Sequence, residues 1–313
     1  MKCDKEKIIA VAGPTASGKS ELALKLCLKY GGELVCCDSM QIYTGMDIGT
    51  AKPTAEERER VVHHMCDFLD PGTAYSAADY ARDACRCAED ILNRGKIPVI
   101  CGGTGLYLDA LLFQRPWDES DGHTEIRDRL AAEAAADGAH AMWERLKLVD
   151  PESAAAIHQN NIRRVIRALE IYELTGVPKS VLDRRAGNPR YDALCLVLHR
   201  SDRSEQNSRI EARVDRMLEA GLADETEMLL KKGVFDGKST ASQAIGYKEM
   251  LGYVRGICTL GEAREELITA TRRYAKRQDT WFAHREYCRT IEISREHPDP
   301  YPEVCELIDG FLK

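Results

Sequence analysis

The chain lacks any run of about 18 consecutive apolar residues, the length that a membrane-spanning helix requires. Its first residues, MKCDKEKIIAVAG, carry charges but no apolar stretch of signal-peptide length. A cytoplasmic protein with no membrane partner is therefore expected. Internal repeats and low-complexity tracts are missing too, which sets solenoids aside. The twelve cysteines do not form the C-x2-C and H-x3-5-H framework of a structural zinc site. The nearest approaches are His63-His64-x-Cys66 and Cys85-x-Cys87. Cys36, Cys37, Cys101 and Cys195 sit inside apolar runs and read as reduced core thiols. There is no excess of positive charge: a net charge of -7 argues against non-specific nucleic-acid binding. Local basic clusters, Arg163-Arg164-Val165-Ile166-Arg167 and Arg272-Arg273-Tyr274-Ala275-Lys276-Arg277, keep RNA recognition open.

What is present is enough for a large core. The 313 residues are 44% hydrophobic, sufficient for one core or a core with a smaller appended unit. Short apolar runs at Ile8 to Ala12, Leu34 to Cys37, Ile97 to Cys101 and Ala193 to Leu198 end in glycine or polar residues and alternate with segments of helical period such as Glu21 to Tyr30. That alternation predicts an α/β fold: a parallel sheet with helices on both faces, and ligands at the carboxyl ends of the strands. Between Trp117 and Tyr191 the chain becomes alanine-rich, charged and helical in period, without a convincing strand. The expected organisation is a core of residues 1–117 and 192–313 interrupted by a helical insertion over residues 118–191. From Ser204 onward helices dominate, including Arg209 to Ala220, stopped by Gly221, and Ala263 to about Tyr287.

Gly13-Pro14-Thr15-Ala16-Ser17-Gly18-Lys19-Ser20 matches G-x4-G-K-[ST] directly after a predicted strand and at the start of a predicted helix. Glycines let backbone N–H groups converge on phosphate oxygens, the helix N-terminus adds partial positive charge, Lys19 adds a full one, and the Ser20 hydroxyl can ligate magnesium. The fold class is therefore P-loop NTPase-like. The loop specifies a polyphosphate and not the group attached to it, so ATP is one option; the N-K-x-D base-reading motif of a GTPase is absent. Asp38 ends the second strand, where one reading is a carboxylate holding magnesium through water. The polar stretch that follows, Asp38-Ser39-Met40-Gln41-Ile42-Tyr43, points to substrate recognition. Gly102-Gly103-Thr104-Gly105-Leu106-Tyr107 closes the third strand, where small residues permit close backbone approach to a ligand or simply a tight turn.

Taken in order and spacing, GPTASGKS, DSMQIY with GMDIGTAKP, GGTGLY, RRVIRALE and AKRQDTWF resemble the tRNA dimethylallyltransferase family over residues 8 to about 285. The resemblance implies transfer of a dimethylallyl group from dimethylallyl diphosphate to the N6 amine of the adenosine at position 37 of tRNAs, with the base flipped out of its loop. It implies that Gly13, Thr15, Ala16, Ser17, Gly18, Lys19 and Ser20 bind the diphosphate, with magnesium at Ser20. Catalytic roles fall to Asp38, as acceptor of the amine proton, and to Thr104 and Arg213. Arg213 is chosen from the arginine face Arg209, Arg213 and Arg216, opposite the apolar stripe Ile210, Val214, Met217 and Leu218. Implied tRNA contacts are Asp38, Ser39, Met40, Gln41, Thr104, Arg127, Arg163, Arg164, Val165, Ile166, Arg167, Gln243, Gly246 and Lys248. A solvated basic helix face is the plainer reading of the arginines, and no aromatic is assigned to stack on the flipped base.

The implied partners are the tRNA anticodon stem-loop and dimethylallyl diphosphate, acting on a monomer. Some eukaryotic members add a zinc-finger extension, and no such ligands stand between Glu303 and Lys313, so a bacterial-type enzyme is expected. Gly105 is not expected to matter for chemistry. Three rivals share parts of the pattern: an adenylate isopentenyltransferase, a nucleoside or small-molecule kinase, and a non-catalytic RNA-binding module. The first leaves the insertion and basic helix faces without a purpose, and the last leaves the phosphate loop without one.

Overall fold

Among the described residues six strands form one sheet: β1 (Lys7–Ala12), β2 (Glu33–Cys36), β3 (His63–His64), β4 (Pro98–Gly102), β5 (Asp192–Arg200) and β6 (Cys288–Ile293). Their order is β3-β2-β4-β1-β5-β6, and every neighbouring pair is parallel. The computed structural model describes residues 5–113, 124–185, 188–235, 237 and 239–313. Thirteen helices are described: α1 (Lys19–Tyr30), α2 (Ala55–Arg60), α3 (Ala77–Asn93), α4 (Gly105–Leu112), α5 (Thr124–Val149), α6 (Pro151–Ala156), α7 (Ile162–Thr175), α8 (Lys179–Arg185), α9 (Arg203–Glu219), α10 (Leu222–Lys231), α11 (Tyr247–Val254), α12 (Leu260–Ala283) and α13 (Tyr301–Leu312). The sheet is the P-loop-like α/β arrangement that the alternation predicts. Among the described residues no helix is long and apolar enough to cross a membrane.

Position in the sheet explains which strands the sequence announces. β1 is an interior strand, paired with β4 and β5 along its two edges, and its residues are buried on both faces, with Ile8, Ile9 and Val11 fully buried. Such strands read as continuous apolar runs, and all four expected strands are of this kind. The two edge strands were not expected. β6 buries Ile291 and Ile293 while Arg289, Thr290 and Glu292 stay exposed, so it has no apolar run, and its first residue follows closely on the apparent helical period to Tyr287. In the structure α12 ends earlier, at Ala283. β3 is only two histidines long, too short and too polar for any pattern to register.

Local chemistry sets the helix ends that matter for the site. Gly18 (φ 99°) opens α1 and Gly31 (φ 66°) closes it, both in the left-handed region that favours glycine. α12, which carries the AKRQDTWF segment, starts on a capping box in which Thr259 accepts from Glu262 N–H and the Glu262 side chain accepts from Thr259 N–H.

The chain divides into two compact units. One comprises Met1–Tyr75, Tyr80–Asp109 and Tyr191–Lys313, and the other Ser76–Asp79 and Ala110–Arg190. The expected boundary between residues 117 and 118 lies outside the described residues. In the first unit a second apolar cluster, beyond the sheet, packs Ile42, Tyr43 and Met46 against Val214, Leu222, Tyr247 and Leu267 of α9 to α12. It anchors the segment that follows β2. The second unit is helical. Gly138 (φ 87°, ψ 161°) kinks α5, and Leu130, Met142 and Leu146 of that helix pack on Val165, Ile166 and Leu169 of α7. Buried Asp150 ties the starts of two helices together, accepting from Ser153 N–H at the start of α6 and from Ser180 N–H, 2.9 Å away, at the start of α8.

Candidate active site

The turn between β1 and α1 is shaped by its neighbours. A Cβ on Gly13 (φ 144°) would sit 2.7 Å from the Leu198 carbonyl oxygen, so only glycine fits there. Both backbone groups of Thr15 are held by glutamines: Thr15 N–H donates to Gln278 Oε1 (2.8 Å), and Gln206 Nε2 donates to Thr15 O (2.5 Å). Arg209 Nε donates to Ala16 O at 3.0 Å. Lys19 Nζ folds back onto Pro14 O at 3.0 Å. Ser17 is fully buried with its hydroxyl lacking a protein partner, an orphan polar atom inside the loop that a phosphate oxygen can satisfy.

A cavity of about 490 Å3 opens at the carboxyl ends of β1, β2 and β4, lined by Thr15, Lys19, Ser20, residues 38–41, Arg213 and Tyr274. A second cavity of about 1140 Å3 lies beside it, lined by Ala16, Gly18, Arg209 and Arg216. Lys19, Ser20 and Arg213 line both, so the cations of the glycine-rich loop and α9 stand in the wall that the two cavities share. Burial holds the Lys19 ammonium below the ordinary lysine value, and Arg213 beside it adds to the effect against the opposing pull of Asp38. Burial likewise lowers Arg213, again opposed by Asp38. Two desolvated cations side by side make this wall strongly favourable for an anion.

Asp38 follows β2 and is fixed by its own turn: Oδ1 accepts from Met40 N–H at 2.9 Å. Thr104 does not line either cavity. Its Oγ1 accepts from Ser39 N–H at 3.0 Å, so it holds the turn that carries Asp38. Gln41 lines the cavity, but its amide nitrogen is committed to the Thr50 and Ala51 carbonyls, each at 3.1 Å. The segment after it is pinned by two buried charges. Glu225 accepts from Asp47, Ile48 and Gly49 N–H and from the Tyr247 hydroxyl (2.6 Å). Lys52, with a side chain 2% exposed, donates to Tyr43 O and pairs with Asp47 and Asp67, both at 2.6 Å. Lys52 lies in the GMDIGTAKP motif without a role of its own in the sequence reading, and Glu225 was not singled out there; their burial and partners reveal both.

The glycines that end and follow β4 make room for protein groups, and Gly102 also lines the cavity. A Cβ on Gly102 would meet the Cys37 carbonyl at 2.0 Å, on Gly103 the Gln278 amide at 2.1 Å, and on Gly105 the Trp281 ring at 2.2 Å. Gly105 is therefore sterically required, a packing role apart from the chemistry. Tyr274, a third residue of the same face of α12, lines the cavity; burial, then Asp38, raises its phenol. The guanidinium of Arg277 lies over its ring at 5.5 Å.

The remaining expected contacts fall in different surroundings. Gln243 and Lys248 line the cavity, whereas Gly246 (φ 112°) spends its N–H on Glu249 Oε2 (2.8 Å) and opens α11 as a turn residue. In the helical unit Arg163 and Arg164 are exposed. Val165 (0% exposed) and Ile166 (8%) are core residues there, so their side chains serve packing and not direct contact. Arg127 and Arg167 both pair with Glu170, which is fully buried. The histidine cluster is structural: His63 Nδ1 bonds Val61 O and His64 Nε2 bonds Glu33, each at 2.7 Å. Among the described residues no group of three or more histidines, cysteines or acids is placed to hold a metal, and Cys36, Cys37, Cys101 and Cys195 are buried free thiols.

The fold and the site define a P-loop-like α/β enzyme whose glycine-rich loop shares one cavity with an aspartate-bearing turn. Residues 41–285 match the family model described as IPP transferase, and residues 6–68 match one described as isopentenyl transferase. The chain belongs to the IPP transferase family. Among its relatives, the tRNA dimethylallyltransferase of Thermoanaerobacter sp. (strain X514) is 43% identical over 310 residues, covering 98% of this chain and 96% of the relative. The tRNA dimethylallyltransferase 1 of Pelobacter propionicus is 48% identical over 88% of this chain and 89% of its own. Two solved structures share the fold. The tRNA isopentenylpyrophosphate transferase of Bacillus halodurans has a TM-score of 0.70 at 40% identity, covering 98% of this chain and 97% of that one. A eukaryotic dimethylallyltransferase described as acting on tRNA has a TM-score of 0.84 at 30% identity, covering 97% and 79%.

Proposed function

We propose that this protein transfers the dimethylallyl group of dimethylallyl diphosphate to the N6 amine of the adenosine at position 37 of tRNAs, beside the anticodon, releasing pyrophosphate. The observation that carries this reading is the single cavity in which Thr15, Lys19 and Ser20 share walls with Asp38 and Arg213. An adenine amine is a poor nucleophile because its lone pair is delocalised into the ring, so transfer needs a proton acceptor on one side and leaving-group stabilisation on the other. Asp38 supplies the first. With Oδ1 fixed by Met40 N–H, Oδ2 takes the amine proton as N6 bonds to the allylic carbon. The carbon–oxygen bond breaks and its electron pair leaves on the diphosphate, where Lys19, Arg213 and the loop stabilise the growing charge.

The residues present fit magnesium. Such an ion is bound mainly by substrate oxygens and water and needs one or two protein ligands; Ser20 would hold it, with Asp38 through water, in the cavity both residues line. When bound, the ion neutralises charge on the departing diphosphate. In this reading residues 118–191 form the insertion domain that holds the anticodon arm, with Arg163 and Arg164 on tRNA phosphates. Gln243 and Lys248 meet the tRNA from the cavity wall. One chain supplies every residue of the site, so a cytoplasmic monomer suffices.

The test is to incubate the protein and magnesium with radiolabelled dimethylallyl diphosphate, offering unmodified tRNA and AMP in parallel while ATP turnover is followed separately. Label in tRNA is expected. Label in AMP alone would make the acceptor a free nucleotide, and ATP turnover without prenyl transfer would overturn the donor assignment.

A further inference from the structure

The AKRQDTWF segment on α12 has no role in the mechanism above, yet one of its residues touches both halves of the site. Gln278 is 5% exposed. Its Oε1 accepts from Thr15 N–H in the anion-binding loop at 2.8 Å, and its Nε2 donates to the Gly103 carbonyl at 2.9 Å. Gly103 precedes Thr104, which holds Ser39 N–H and with it the turn of Asp38. A single carboxamide therefore links the loop for the leaving group to the turn for the amine. The packing at Gly103 agrees with these bonds. Gly103 has no room for a side chain because Gln278 Nε2 occupies the space 2.1 Å from where its Cβ would lie. The buried bonds to the Thr15 N–H and to the Gly103 carbonyl both run through Gln278.

We propose that Gln278 is a positioning residue for prenyl transfer: it fixes the distance between the anion-binding loop and the Asp38 turn. It lines the cavity, but both ends of its carboxamide are spent on protein groups, the Thr15 N–H and the Gly103 carbonyl. Binding of either substrate alone engages only one side of the link, whereas the transition state needs amine, allylic carbon and leaving oxygen aligned across it. Loss of the link then acts on kcat and spares KM.

This inference rests on the proposed transfer, and wild-type transfer to tRNA is measured first so that failure of that reading is seen separately. Gln278→Met keeps the side-chain length and removes both bonds. It is expected to lower kcat about tenfold or more, with KM for dimethylallyl diphosphate and for tRNA within about threefold of wild type. Gln278→Glu keeps the acceptor bond to Thr15 and loses the donor bond to Gly103, and serves as second variant if the methionine protein does not fold. Normal kcat in whichever variant folds would overturn the proposal, as would a rise in KM with kcat unchanged. A pair of further variants separates positioning from general packing. Gly103→Ala alone should lower kcat severely, but on a Gln278→Ala background it should cost less than about a further twofold, because the 2.1 Å contact is then gone and the Gly13 carbonyl oxygen, 3.3 Å away, is the remaining close neighbour. Additive losses would overturn the proposal.

Discussion

Glu225 offers the clearest energetic test, because one buried carboxylate satisfies four donors. Three are the successive N–H groups of Asp47, Ile48 and Gly49, at 3.0–3.1 Å, and the fourth is the Tyr247 hydroxyl. Glu225→Ala leaves all four without a partner. The Gly49 N–H and the Tyr247 hydroxyl are buried, and each unpaired buried donor costs about 1–3 kcal/mol. The Asp47 and Ile48 groups are only partly buried and can recruit water. Adding the lost packing, the expected destabilisation is about 4 kcal/mol, which for a chain of this size lowers the melting temperature by about 6 °C. Glu225→Gln should fall between, since its amide oxygen still accepts but its NH2 opposes the backbone donors. Chemical unfolding followed by tryptophan fluorescence, with thermal melts in parallel, measures both. A loss under about 1 kcal/mol for the alanine variant would refute the reasoning, because it would mean the turn finds other acceptors. The same turn leads into Thr50 and Ala51, whose carbonyls hold Gln41 in the cavity wall, so prenyl transfer should weaken with stability.

Three further outcomes are expected. Asp38→Asn keeps an oxygen for Met40 N–H but removes the proton acceptor, and should lower kcat about 10²- to 10⁴-fold with tRNA affinity largely intact; loss of affinity with normal saturated turnover would sink the assignment. Lys19→Ala should raise KM for the diphosphate and slow the chemical step together, read from single-turnover rates against donor concentration, and unchanged donor affinity and rate would rule out its role. Glu33, with a side chain 3% exposed, is held well below the usual carboxylate range by Arg94, with Lys96 and His64 assisting against burial. A depressed folded-state value means that its contribution is present above the unfolded carboxyl pKa, about 4.3, and is lost as pH falls below it. Urea midpoints from pH 6 to pH 3 should therefore drop less steeply in Glu33→Gln than in the parent, and parallel curves would contradict this.

The sequence by itself determined the parallel sheet and the glycine-rich loop. Strands covered on both faces must be apolar throughout, and a loop that brings N–H groups to phosphate must place its glycines, lysine and serine at fixed spacing. Both constraints are local, so Ile8 to Ala12 and residues 13–20 announced themselves. Asp38 was legible as the polar end of a buried strand and Arg209, Arg213 and Arg216 as one helix face, but that Arg213 of the three lines the cavity with Asp38 is seen only in the fold. Tertiary structure alone decided the rest. Edge strands β3 and β6 are covered on one side or are too short, so no pattern marks them. Thr104, Gly103 and Gly105 stand where a ligand could be imagined, but their surroundings are Ser39, Gln278 and Trp281, which are distant in sequence. Val165 and Ile166 belong to a basic cluster by sequence and to an apolar core by contact. Gln278 and Glu225 acquire their importance only from the groups that folding brings to them: a polar side chain's role depends on which unpaired donors it meets once water is excluded, and that is a property of the assembled chain.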